Sequence, residues 1–209
     1  DIVTCQVYDG RGMYYVPIEK ITEFFDVHSK SIFIFANAPF DLDVLQMSCG
    51  WDFFKVVDEG RIYDIQLMFR LYSLATIGEV PYRYSLALLA KKYLDVTLNK
   101  DDDIRCNFSQ FKGIAIEKIP AEFLRYGAMD AIVTYDIFHI LLRIIRLEVK
   151  SSNCLSHNYQ LKGAIALNRI YKNGIGFDEL KASFFLQDLN NEMKTLAEIM
   201  APYGWVRGE

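Results

Sequence analysis

Asn37-Ala-Pro-Phe-Asp41 and Tyr126-Gly-Ala-Met-Asp130 are the two segments of this chain whose residue types and spacing could do chemistry. Each sets a carboxylate four residues beyond a polar partner. Two carboxylates drawn from different segments make an oxygen donor set for hard divalent cations, and a pair of such cations is what phosphodiester cleavage needs. Either five-residue pattern alone arises by chance in many proteins. Their order, and what lies between them, is what makes the combination specific.

The elements that would position these residues can be read locally. Ser31-Ile-Phe-Ile-Phe-Ala36 is a continuous apolar run rich in branched and aromatic residues, the pattern of a buried central strand. Asn37 then falls at its carboxyl end, where open α/β sheets place their ligands. Asn37 is expected to cap a helix starting at Pro39, which puts Asp41 in its first turns. Tyr126 and Asp130 sit in a long apolar-periodic stretch that starts at Ile119-Pro-Ala-Glu and runs to about Val149. Four residues apart on a helix, they share one face.

Around them, Ile2 to Tyr8 and Met13 to Val16 flank Asp9-Gly-Arg-Gly12 and read as a hairpin. A short helix is expected from about Pro17 to Asp26, a strand near Phe53 to Val57, and an extended Ile62-Tyr-Asp64 leading into a helix through about Leu74. Ser85 is placed to cap a helix ending at Leu94. Lys100 to Gly113 reads as a polar loop, and its Asp101-Asp-Asp103 as a solvated acidic turn rather than a metal cluster. Ser151-Ser-Asn153 breaks the pattern and marks a domain boundary. Two further helices follow, Leu155 to Tyr171 and Asp178 to about Met200, with Gly174 suited to a left-handed helix end and Asp178 to the next cap.

Composition bounds the reading. The chain has 209 residues, 52% of them hydrophobic and 24% charged, which suits one domain or one domain and part of another. A net charge of −4 argues against a wholly basic nucleic-acid coat. Local patches remain at Arg61, Arg83, Lys91-Lys92 and Arg143/Arg146/Lys150, each of which reads first as a solvated helix face. Cys5, Cys49, Cys106 and Cys154 form no C-x-x-C pair, so free thiols in a reducing cytosol are expected. His28, His139 and His157 make no metal-binding pattern. No run is long and apolar enough to span a membrane, and no signal peptide opens the chain. It begins at Asp1, inside strand-like sequence, and reads as a piece of something longer.

In their order and spacing the segments resemble the DEDD superfamily of 3'-5' exonucleases, and more narrowly the proofreading domain of family A DNA polymerases. Asn37 to Asp41 matches the second exonuclease motif and Tyr126 to Asp130 the third, in its tyrosine form. Tyr63-Asp64, Ser85-Leu-Ala-Leu-Leu-Ala90 and Lys100 fall where that family has an aspartate after a strand, a helix and a lysine; Asp64 is expected to be structural or to support the ligands. The resemblance implies a ribonuclease H-like α/β fold, a mixed sheet flanked by helices with its first strand missing, over residues 1–150. Residues 151–209 resemble the helical start of a polymerase thumb.

The same resemblance implies two divalent ions, magnesium or manganese. Asp130 would ligate the first, Asp41 would hold the second through waters, and Tyr126 would orient the attacking water. Asn37 and Phe40 would serve the substrate side, Asn37 by supporting the helix start and Phe40 by packing beneath the site or against the terminal nucleotide. The implied partners are a single-stranded 3' DNA end and the remainder of a polymerase chain, with no membrane, in a bacterial or phage-infected cell. One departure stands out: no Asp-x-Glu precedes Asn37, so the family's first pair of acids is not in this sequence. The alternatives are a ribonuclease D-like or RecQ-associated exonuclease, and a catalytically inactive exonuclease fold that holds DNA.

Overall fold

The computed structural model describes residues 3–98, 108–150 and 155–204. Asp101 to Asp103, Lys100 and the boundary at Ser151 lie outside the described residues. The chain divides into two compact units, Asp1–Arg169 and Ile170–Glu209.

In the first unit the expected hairpin forms, with β1 (Thr4–Tyr8) antiparallel to β2 (Met13–Pro17). Its turn is closed by the Asp9 carboxylate, which accepts from the Arg11 and Gly12 amides at 2.8 Å each and is thereby held below the usual carboxylate pKa. Gly10 takes the positive φ of +85° that the turn requires. Helix α1 (Ile21–Val27) follows, then β3 (Phe33–Phe35), α2 (Ala38–Cys49), α3 (Phe54–Asp58), β4 (Ile62–Asp64), α4 (Ile65–Ile77) and α5 (Leu86–Leu94). Helix α6 (Ala121–Ile144) runs on into a π-helical turn at Ile145–Val149. Helix α7 (Leu155–Asn173) begins in this unit, where His157, Leu161 and Ile165 are buried.

The apolar alternation along β3 and β4 fixes the layering. Phe33, Phe35 and Ile62 pack into one core with Ile21, Phe25, Leu42, Trp51 and Leu161. Ile34, Ala36 and Tyr63 pack into a second, with Ile65, Met68, Leu89, Ile137 and Leu141. Because strand side chains alternate faces, one short parallel pair separates two helical layers, α1, α2, α3 and α7 on one side and α4, α5 and α6 on the other.

Three expectations are corrected. In place of the single mixed sheet the described residues form two two-stranded sheets, β1-β2 and β3-β4. Among the described residues the run 31–36 is therefore not a central strand: β3 pairs there with β4 alone, through Phe33 with Ile62 to Phe35 with Asp64. Its other edge and the outer edge of β1 border the same cleft, described below, and have no strand partner among the described residues. The strand expected near Phe53 to Val57 is helix α3. Phe53, Val56 and Val57 are buried while Phe54 and Lys55 are exposed, a spacing of three and four that belongs to a helix.

The second unit contains the end of α7 and helix α8 (Glu179–Met200). Gly174 closes α7 with a positive φ of +67°, and the Asp178 carboxylate caps α8 by accepting from the Lys181 amide at 3.0 Å. Phe184, Phe185 and Leu196 of α8 are exposed.

Candidate active site

The site starts at the junction of β3 and α2. Asn37 adopts a left-handed backbone, φ 71° and ψ 53°, a conformation that Asn tolerates better than most residues. This overturns the expected cap: the Asn37 side chain makes no capping hydrogen bond, and the helix begins at Ala38. A capping side chain works from an extended backbone, and the left-handed turn gives that up. The orphan amides go to Asp64 instead, whose Oδ1 accepts from Asn37 N at 3.3 Å and Oδ2 from Ala38 N at 2.9 Å. The same Oδ1 caps α4 through Gln66 N at 2.9 Å and Leu67 N at 3.2 Å.

Asp64 is only 4% exposed, and burial raises its pKa against the pull of these four amides. Its own amide donates to Nε2 of His157 at 3.0 Å, and the ring of His157 lies against Tyr63. Burial pushes His157 down to about 4, so the ring stays neutral and its Nε2 is able to accept. So β4 anchors three helices: α4 follows it, α2 starts on its last carboxylate, and α7 docks on its backbone.

Helix α6 supplies the opposite wall. Gly127 lets it approach β1 closely, since a Cβ there would lie 2.8 Å from Cδ of Gln6. Tyr15 Oη donates to the Leu124 carbonyl at 3.1 Å, and Tyr135 meets Tyr8 edge to face at 5.2 Å. These contacts bring the second motif's acid and the third motif together. Phe40, Asp41, Tyr126, Gly127 and Asp130 line one cleft of about 1310 Å³, bounded by β1 on one side and by β3 on the other.

The electrostatics follow from that convergence. Asp41, half-buried in the first turn of α2, is pushed up to about 7, first by burial and then by the negative charges of Asp64 and Asp130. Burial raises Asp130 to about 6. Cys5 on β1 is pushed up to about 12 by burial, by Asp41 and by Cys49, and stays a neutral thiol. Carboxylates that resist ionisation near neutral pH lack a counter-charge.

A hard divalent cation is the group that suits them, because oxygen donors match magnesium and manganese, which commonly use one or two carboxylates together with waters and substrate phosphates. Among the described residues no group of three or more His, Cys, Asp or Glu side chains is placed to hold a metal. Asp41 and Asp130, the two carboxylates expected as ligands, both line the cleft and could together face such an ion.

Of the expected site residues, Asp41, Tyr126, Asp130 and Phe40 share the cleft, whereas Asn37 is exposed and does not line it. Phe40 is 58% exposed, so it does not pack beneath the site. Asp64 takes the structural, supporting role expected of it; what sequence reasoning missed is how far that support reaches, and the part of His157 in it. Asp64 stands immediately before a helix, a visible capping signal, but its reach to the start of α2 has no sequence signature. His157 has none at all.

Among the described residues no helix is long and apolar enough to cross a membrane. A family model described as a 3'-5' exonuclease matches residues 8–146. No curated protein and no solved structure gives a match.

Proposed function

The chain belongs to the 3'-5' exonuclease family, and from that premise we propose that the cleft hydrolyses the terminal phosphodiester of a single-stranded 3' DNA end, as the proofreading region of a family A DNA polymerase whose thumb would begin in residues 151–209. The observation that carries this reading is the convergence of Asp41, Tyr126 and Asp130 on one cleft although they come from helices far apart in the chain.

Two divalent ions, held by Asp41 and Asp130 together with further acids, would supply the charge neutralisation and water activation that phosphodiester hydrolysis requires. The chain's own residues do the rest. Tyr126, one turn ahead of Asp130 on the same face of α6, offers a phenol to orient the attacking water. Phe40 exposes a ring at the rim, against which the terminal base can stack. Asp64 binds no substrate; it keeps Asp41 in place by holding the start of α2.

Asp41 and Asp130 are two acids where the family's two-ion scheme uses four. We propose that an Asp-x-Glu strand seated between the unpaired edges of β1 and β3 would supply the others. Residues 1–209 alone should then show little hydrolysis of a labelled single-stranded oligonucleotide in magnesium or manganese, and a longer chain with such a strand ahead of β1 should shorten it from the 3' end. In the longer chain Asp130→Ala should abolish hydrolysis, and Tyr126→Phe should slow it by less, because the bound ions would still activate the water without the phenol. Vigorous activity of residues 1–209 alone would refute the need for further acids. Full activity of Asp130→Ala would refute the site itself.

A further inference from the structure

Arg83 and Lys91-Lys92 are two of the local basic spots in the sequence, each read there first as a solvated helix face, and the hydrolytic cleft does not use them. In the structure these residues line a second depression, of about 890 Å³, together with Gln66, Tyr82 and Tyr84. Three cationic side chains and two tyrosines line it, and no acidic side chain does. That is a local excess of positive charge on a chain whose net charge is −4.

The patch is partly built and partly free. Tyr84 is held by the Arg70 guanidinium, 4.9 Å from the centre of its ring. The Lys92 ammonium lies 4.7 Å from the ring centre of Phe69 and 5.4 Å from that of Tyr93, so aromatic faces rather than a carboxylate fix it. Lys91 is paired with Asp95 at 2.6 Å, which leaves Arg83 and Lys92 as the cations with no ion pair among the described residues. Tyr82 is 94% exposed, its ring free on the surface beside them.

The patch also adjoins the hydrolytic cleft. Leu86, the first residue of α5, lines the cleft that holds Asp41 and Asp130, while Ser85 and Ala87 on either side of it line the second depression. The start of α5 is the ridge between the two. A strand whose end lies at the acids and which crosses this ridge meets tyrosine faces and cations, the combination that binds single-stranded nucleic acid: rings for the bases and positive charge for the phosphates.

We propose that Tyr82, Arg83, Tyr84 and Lys92 form a track for the single-stranded nucleic acid that leads into the cleft, a proposal that rests on the hydrolytic reading of that cleft. A folded acidic protein fits less well, since it would use the cations and leave the tyrosine faces idle.

The test needs no hydrolysis. With EDTA present, fluorescence anisotropy would measure binding of residues 1–209 to a labelled oligo-dT of about 15 nucleotides, to the dinucleotide, and to oligo-rU of matched length. The 15-mer should bind more tightly than the dinucleotide. Tyr82→Ala should weaken the 15-mer by about fivefold or more, the scale of one lost base stack, and leave the dinucleotide unchanged. Arg83→Ala should weaken it too and flatten the salt dependence, lowering the slope of log affinity against log salt by about 0.7. Both side chains are exposed, and circular dichroism would verify that the variants stay folded.

If the dinucleotide binds but the 15-mer gains nothing from Tyr82 and Arg83, the track is wrong and the cleft reading stands. If the 15-mer depends on both residues while the dinucleotide does not bind, the track is right and the cleft reading is what fails. Failure of the 15-mer to bind both as oligo-dT and as oligo-rU, or equal competition by polyglutamate with no effect of Tyr82→Ala, overturns the track. The ratio of oligo-dT to oligo-rU affinity decides between DNA and RNA as its ligand.

Discussion

The Asp64 carboxylate shares its work unevenly between its two oxygens, and that makes its contribution testable. Oδ1 accepts from Asn37, Gln66 and Leu67, and Oδ2 from Ala38 alone. Asparagine can reproduce one oxygen but must turn its NH2 towards an amide that is also a donor. Asp64→Asn therefore keeps the cap on α4 and opposes the start of α2, or the reverse, with a buried donor left unsatisfied in either arrangement. The cost is about 2 kcal/mol, which for a chain of this size lowers the melting temperature by roughly 4–8 °C. Asp64→Ala, which abandons all four amides, should cost more. Thermal melts of the two variants would check the order; an Asp64→Asn variant as stable as the parent would mean that the carboxylate does not hold α2.

At the scale of elements, what could be read locally was legible and what depends on pairing was not. Ser85 and Asp178 announce their helices, and both side chains accept the expected amides, Leu88 N at 3.4 Å and Lys181 N at 3.0 Å. The hairpin followed from its Gly-containing turn, and the shared face of Tyr126 and Asp130 from the period of α6. The run 53–57 was misread because a short apolar stretch does not reveal its period until burial does. The run 31–36 carries the residues of a central strand, yet its place in a sheet depends on partners that no local pattern encodes. The sequence singled out four residues that share the cleft, Phe40, Asp41, Tyr126 and Asp130, and Asn37, which does not line it; the tie between β4 and His157, 93 residues apart, was not legible.

Helix α6 gives the element-scale prediction, because Gly127 sits where it passes β1. A methyl there would be 2.8 Å from Cδ and 2.9 Å from Cγ of Gln6. Gly127→Ala gains about 1 kcal/mol of helix propensity, and overpacking costs about 1–3 kcal/mol, so the variant should be slightly less stable than the parent. In a Gln6→Ala background the obstructing atoms are gone and only the gain remains. Gly127→Ala should then stabilise by about 1 kcal/mol, a change of sign that a double-mutant cycle in denaturant reads directly. Destabilisation of equal size in both backgrounds would mean that α6 does not rest on Gln6.

Across the whole molecule, the groups that position the site also set how stability responds to pH. Asp41 at about 7 and Asp130 at about 6 have folded pKa values above the ordinary carboxylate value, so the stability they contribute is present at low pH and lost as pH rises through those values. His157, at about 4, lies below its ordinary value of 6.5, so its contribution is present above 6.5 and lost as pH falls towards 4. Between about pH 4 and 6 the folded chain keeps two carboxyl protons that the unfolded chain releases and refuses one imidazole proton that the unfolded chain binds. Among these three groups the balance is about one proton in favour of the fold, and the raised pKa of Asp64 acts in the same direction, so metal-free stability should decline with rising pH by about 1.4 kcal/mol per unit or more. His157→Gln retains an acceptor for the Asp64 amide but cannot titrate. It removes the opposing term, and between pH 4 and 6 its decline should be steeper than the parent's by up to one further proton. Urea unfolding of both proteins in EDTA across that range would measure the two slopes; parallel slopes would show that His157 is not held neutral by its burial against β4.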